Sequence, residues 1–592
     1  MRASMIAALA LALAGLTACE PADSEPDASE GSLCACRELD GVRECCFGHG
    51  ACEAQAEGPA RCVCDPGARG ETCSTPAPGV HAVRPRTCEG DDPGCVQAHA
   101  FVAVEHLDSC VDLEGQRFES VIVRPAVDAE GSWPAQALPV AVLTHGASQD
   151  PADYYDLLEH VAANGVVIAA FDGTPGRDIT FRANRLLVYL ECLRGEWPEA
   201  ARLEDRYALI GHSRGGAAVA LAAEAIADGI AGEGVEVEAI VALAPTRTGQ
   251  RALSPAATPA YFTLQGARDP ETPGASLAWF DLARAGDPER VNALAWIHGA
   301  THQRFHQGLL AAGSGELEAS LDAEGHWSVA RAYIGGFLMW RLLGREGYRE
   351  LFTGERVPAS VAASWVGEPG VFAGLSDGAA ARRALLDFEG DTIVQPGGGP
   401  SLSLDGFAEA TGGELAQLDA PWSTGNLSRG LGLRWSAGAS PVVRVELPAG
   451  LGDLRDYAAL SLRVGRGFDG AQGCSPTPVE LPVFGLRLFD AEGEAELRFG
   501  DGDLDLGEAG RIPAADRFAP QTFGAWIRDD CHAIDYLRPV RLPLTRFCEA
   551  GVDLSAVTAI ELRISDVDGA GGALLVDDLA LERGEGELGG CG

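Results

Sequence analysis

Four short stretches carry residues whose types and order suit acyl transfer. In Gly211-His-Ser-Arg-Gly215 a serine stands between nearly bare neighbours, with the apolar run Tyr207 to Ile210 before it and the alanine-rich run Ala217 to Ala227 after it. That reads as strand, tight turn and helix. So abrupt a turn forces Ser213 into a strained backbone, and Gly211, Gly215 and Gly216 let the two elements approach. Ser213 would then project its hydroxyl at a helix N-terminus whose amides suit a developing oxyanion. The other stretches are Pro139-Val-Ala-Val-Leu-Thr-His-Gly-Ala147, Tyr261-Phe-Thr-Leu-Gln-Gly-Ala-Arg-Asp269 and Ala293-Leu-Ala-Trp-Ile-His-Gly-Ala-Thr-His302. Each is a strand-like run followed by a His-Gly turn, an acid or a histidine. Rivals stand nearby: His298, His306 and His326 for the histidine, Asp172 and Asp281 for the acid.

The elements that must position these residues come from alternation between about Arg86 and Gly354. Apolar runs at Ser120 to Val123, Val140 to Leu143, Val166 to Phe171, Tyr207 to Ile210, Ala239 to Leu243, Tyr261 to Leu264 and Ala293 to Ile297 read as buried strands. Helical patterns lie between most of them, at Tyr154 to Asn164, Arg182 to Leu193, Ser276 to Arg284 and Val329 to Leu343. Such alternation predicts a mostly parallel sheet with helices on both faces. Reactive groups of an open sheet of that kind gather at the carboxyl ends of the strands.

Residues of about 100 to 345 resemble the α/β-hydrolase subgroup that includes dienelactone hydrolases, platelet-activating-factor acetylhydrolase-like enzymes, chlorophyllases and cutinase-type esterases. The His145-Gly146 loop, Ala163-Asn-Gly165, the pentapeptide around Ser213 and Gly299-Ala-Thr-His302 carry the likeness. The resemblance implies an α/β-hydrolase fold and a serine ester hydrolase with the order Ser, Asp, His. It implies Ser213 as nucleophile, His302 as general base and then acid, and Asp269 as the group that orients His302. The amides of Ala147 and Arg214 would form the oxyanion hole. Gly211, His212 and Gly215 would build the elbow, with His145 and His212 as props rather than catalysts. No metal or organic cofactor is implied for catalysis.

The N-terminus has Arg2, an apolar stretch from Met5 to Leu16, and Leu16-Thr-Ala-Cys19. That resembles a bacterial lipoprotein signal, residues 1–19, in which Cys19 is lipidated and the mature chain is exported to the cell envelope, at the outer membrane or cell surface. Residues 20–33 are an acidic tether. Setting Cys19 aside, the other 16 of the 17 cysteines fall into even groups of eight, four and four, as disulfides made within domains in an oxidising compartment would give. Residues 34–75 resemble an EGF-like module, with Cys52, Cys62, Cys64 and Cys73 as disulfide candidates. Cys34, Cys36, Cys45 and Cys46 depart from that pattern, and a zinc site is the alternative. The formal charge of −41 excludes nucleic acid as a partner and leaves the lipid anchor as the means of membrane attachment. The chain has no lysine, which excludes a Ser-Lys dyad.

Residues 380–592 change texture to short alternating segments: Val442 to Leu447, Ala459 to Val464, Phe484 to Phe489, Glu494 to Phe499, Ala559 to Ser565 and Ala573 to Leu581. Their first and last strands resemble galactose-binding jelly-roll modules, which implies an all-β sandwich able to hold polysaccharide. Glu389 and Asp577 are candidates for a structural calcium ion, weighed against solvated turn acids. Trp422, Trp435 and Trp526 could stack on sugars or pack a core. The function expected is a secreted, lipid-anchored serine hydrolase acting on esters. A carbohydrate esterase anchored by its C-terminal module, and a non-catalytic adhesion protein with a vestigial hydrolase domain, are the alternatives.

Overall fold

The computed structural model describes residues 78–84, 86, 90–147, 149–173, 178–246, 253, 259–266, 269, 271–272, 274–287, 289–297, 299–306, 321, 323–354, 356–363, 370–376, 378, 381–388, 400–414, 428–466, 483–499, 537–565 and 571–583, with the backbone of 36–39, 42–45, 50–53 and 61–64. The chain divides into two compact units. Met1–Thr272, Ile297–Arg349 and Val357–Val371 form the first; Pro273–Trp296, Glu350–Arg356 and Phe372–Gly592 form the second.

At the N-terminal end, β1 (Cys36–Leu39) pairs with β2 (Val42–Cys45) and β3 (Gly50–Glu53) with β4 (Arg61–Cys64), both antiparallel. Then follow β5 (Gly79–Ala82), β6 (Phe101–Leu107), β7 (Ser120–Ala126), β8 (Leu138–Thr144), α1 (Tyr155–Ala163), β9 (Val167–Phe171), α2 (Ile179–Glu196), β10 (Leu203–His212), α3 (Arg214–Ala227), β11 (Glu236–Leu243), β12 (Ala260–Gly266), α4 (Ala275–Gly286), β13 (Asn292–Ile297), α5 (Ala323–Leu343) and β14 (Val371–Ser376). The helices fall where the 3.6-residue patterns place them. A disulfide joins Cys110 to Cys192, and Cys95 and Cys548 are disulfide-bonded too.

The fold-class expectation is corrected by the strand directions. The large sheet has ten strands in the order β14-β13-β12-β11-β10-β8-β9-β7-β6-β5, and it is mixed. β9, β8, β10, β11 and β12 run parallel, whereas β5 with β6, β6 with β7 and β7 with β9 are antiparallel. Strand outweighs helix, 37% to 27%. The mostly parallel α/β-hydrolase sheet is therefore not what the chain specifically forms. The reason is that a strand covered on both faces is apolar throughout whichever way it runs, so burial hides direction. Connection length decides it: no helix lies between β6 and β7, and a parallel return would need a crossover.

The second unit holds antiparallel sheets. β15 (Arg382–Leu386), β17 (Glu409–Glu414), β18 (Arg429–Trp435), β20 (Ala459–Arg466), β23 (Arg538–Pro543) and β25 (Gly572–Glu582) make a six-stranded sheet; β16 (Ser401–Asp405), β19 (Val442–Glu446), β21 (Val483–Phe489), β22 (Glu494–Phe499) and β24 (Ala559–Ser565) make a five-stranded one. Leu431, Leu460, Val540 and Leu574 of the first share one hydrophobic core with Val443, Leu486 and Ile560 of the second. Trp435 is in that core at 5% exposure, so of its two readings it takes core packing rather than a sugar platform. Trp422 and Trp526 lie outside the described residues. Among the described residues no helix is long and apolar enough to cross a membrane.

Candidate active site

β10 ends at His212 and α3 begins at Arg214, so one residue makes the whole turn. Ser213 makes it at φ 55° and ψ −118°, a backbone that costs a non-glycine residue about 1–3 kcal/mol. The surroundings hold it there: Ser213 N–H donates to Leu243 O at 2.8 Å, and Ser213 O accepts from Gly216 N at 3.0 Å and Thr246 N at 3.1 Å. The glycines are needed for space. A Cβ on Gly211 would lie 2.2 Å from Gly215 O, and one on Gly215 would lie 2.2 Å from Thr144 O. The second contact seats the end of β8 against the start of α3. The amides of Ala147 and Arg214 are not committed to another described acceptor. Gly146 N–H, by contrast, is taken by Gln149 Oε1 at 2.7 Å.

Asp269 follows β12, and His302 follows β13. The two meet: His302 Nδ1–H donates to Asp269 Oδ2 at 2.7 Å, with the residues 1% and 2% exposed. Asp269 also accepts from Gln265 Nε2 at 2.9 Å, Thr272 Oγ1 at 2.8 Å and the amides of Glu271 and Thr272, each at 2.8 Å. Burial alone would raise its pKa, but His302 and these donors hold it below the ordinary carboxylate value. Burial would likewise lower the pKa of His302; Asp269 first and Glu271 second raise it instead, to about 9. With Nδ1 fixed as the donor, Nε2 is the reactive nitrogen. Among the described residues no hydrogen bond ties up Ser213 Oγ, and none links it to His302.

Supporting groups define the rest. His145 Nε2 accepts from Gly173 N at 2.7 Å, Nδ1 faces Gly146 O at 2.7 Å, and Arg182 Nη1 donates to His145 O at 2.8 Å. His212 Nε2 faces His302 O at 3.1 Å and Nδ1 faces the Tyr154 hydroxyl at 2.7 Å, while burial keeps its pKa well below the usual value. Both rings fasten loops. Tyr154, Gln149, Gln265, Thr272, Glu271 and Gln303 escaped the sequence reading. Only Thr272 had a local signal, an acid followed three residues later by threonine, which favours a side-chain-capped turn.

The rivals separate cleanly. Asp172 is 43% exposed and 3.6 Å from His145 Nε2, while Asp281 pairs with Arg463 at 3.0 Å in the second unit. His306 Nε2 pairs with Gln303 Oε1 at 2.9 Å; His326 packs edge-on to Phe305 at 4.4 Å; His298 lies outside the described residues. Asp577 Oδ2 accepts from Arg463 Nη1 at 3.1 Å and from Ser428 Oγ at 3.0 Å. Glu389, Cys19 and Cys73 lie outside the described residues. Cys52 and Cys62 are backbone partners across β3 and β4, with Cys64 on β4. Among the described residues no group of three or more His, Cys, Asp or Glu could hold a metal ion. No protein-family model matches the chain, and no curated protein matches it.

Proposed function

We propose that this chain is a serine hydrolase that cleaves carboxylic esters, exported and held at the cell envelope through a lipid on Cys19. The observation that carries the reading is a buried, donor-saturated Asp269 bonded to His302 Nδ1 in the same unit as a serine held at φ 55° at the start of α3. Proton and electron flow follow from those atoms. His302 Nε2 takes the Ser213 proton as Oγ bonds to the ester carbon, and the amides of Ala147 and Arg214 hold the oxyanion. The carbon–oxygen bond to the alcohol breaks as Nε2–H returns its proton to the leaving oxygen. Water then attacks the acyl-enzyme by the same route. Asp269 keeps the tautomer and balances the imidazolium.

A fluorophosphonate probe tests it. The wild type should be labelled and Ser213→Ala should not, with ester turnover falling by roughly 10⁵-fold or more. An unlabelled wild type, or label that persists in the variant, would overturn the assignment.

A further inference from the structure

The reactive side of His302 carries a second acid that the triad does not require. Glu271 Oε2 stands 3.6 Å from Nε2, and the Glu271 side chain is 33% exposed while His302 is 1% exposed. Its placement is built in: the Glu271 amide is bound by Asp269 Oδ1 at 2.8 Å, and Oε1 accepts from Gln303 Nε2. Gln303 is itself held through Oε1 by His306 Nε2 at 2.9 Å. With Asp269 closing the Nδ1 side, Nε2 delivers its proton to a leaving oxygen about 2.8 Å away, the usual length of such a bond. Whatever that oxygen carries lies beside Glu271.

We propose that Glu271 selects esters of cationic amino alcohols, receiving the ammonium group of the departing alcohol next to His302 Nε2. The inference rests on the serine-hydrolase reading. A cation two carbons from the ester oxygen reaches the carboxylate while the oxygen faces Nε2. For a neutral ester the same carboxylate is a penalty, because it opposes the negative charge that grows on the leaving oxygen and favours the protonated, inactive form of the base. A cationic alcohol offsets both effects.

Phosphonylation of Ser213 tests this without requiring turnover: the Ser213 Oγ–phosphorus bond forms, the phosphorus–sulfur bond breaks, and His302 protonates the departing thiolate. Two phosphonothioates are compared at low salt, one leaving as 2-(trimethylammonio)ethanethiol and the other as its uncharged isostere 3,3-dimethylbutanethiol. The wild type should react at least about tenfold faster with the cationic probe. Glu271→Gln should bring the two rates within about twofold, Glu271→Asp should retain a preference, and salt should erode it in the wild type alone. Equal rates in the wild type, or an unchanged ratio in Glu271→Gln, overturn the role of Glu271 and leave the hydrolase reading intact. Absence of labelling by these probes and by a fluorophosphonate overturns both.

Discussion

Each unit buries an acid against a cation, and the two arrangements do opposite things. In the first, Asp269 faces His302, a cation that can give up its proton and whose second nitrogen points away from the pair. In the second, the partners are arginines: Arg463 Nη1 bridges Asp281 Oδ1 at 3.0 Å and Asp577 Oδ2 at 3.1 Å, while Asp578 takes Arg382 at 2.6 Å and Arg284. A guanidinium keeps its proton at any working pH. The first pair can exchange a proton near neutral to alkaline pH, and the second can only hold the fold. Burial and ion pairing alone do not mark an active site; a titratable partner with one reactive face does.

The contrast predicts different losses. Asp269→Asn should lower kcat by about 10⁴-fold, since an amide still fills the space but favours the wrong tautomer, with its loss of stability greatest where His302 is charged and shrinking as pH rises through about 9. Steady-state ester kinetics beside a thermal melt checks this. Arg463→Met should do the reverse, costing about 3–5 kcal/mol in the second unit by leaving buried carboxylates uncompensated, with kcat unchanged. If Arg463→Met lowered kcat as far as Asp269→Asn, the division of labour would be wrong.

pH separates the pairs further. The folded pKa of His302 is raised from 6.5 to about 9, so its charged pair with Asp269 contributes stability fully present below about 6.5 and lost as pH rises through 9. Activity moves the other way, because only the unprotonated base accepts the serine proton. Log kcat/KM should therefore climb toward pH 9 while the melting temperature of the first unit declines over the same interval. A rate that levels off near pH 6.5 would show that the base is unperturbed.

The sequence told more about local turns than about topology, for physical reasons that particular residues display. The turn at Ser213 and the contact of Asp269 with His302 were legible because each residue sits just past an apolar run, with glycines at 211 and 215 giving the turn its room. Strand direction in β5, β6 and β7 was not, because both faces of β7 are buried and its seven residues read the same in either orientation. Gln265 and Glu271 were invisible in a different way. A glutamine four residues before an acid, or a glutamate two after, gains its role only when β12 ends and the chain folds back over His302.

Asp577 gives the finest test of the comparison. Burial first, and then the neighbouring charges of Asp578 and Asp281, raise its pKa against the pull of Arg463, and Asp577 Oδ1 has no hydrogen-bond partner. An acid whose folded pKa is raised binds a proton more readily folded than unfolded, so it subtracts stability as pH rises above its ordinary value. Asp577→Asn removes that charge and keeps the shape. Its melting temperature should match the wild type near pH 3, below the ordinary carboxylate value, and exceed it by a widening margin from there to pH 8. Asp578, held well below the ordinary range despite burial by Arg284 and Arg382, should behave oppositely, and Asp578→Asn should lose stability at pH 8. Equal shifts in both variants would mean that the two adjacent acids share one charge state, and the second unit would then hold a titrating pair of its own.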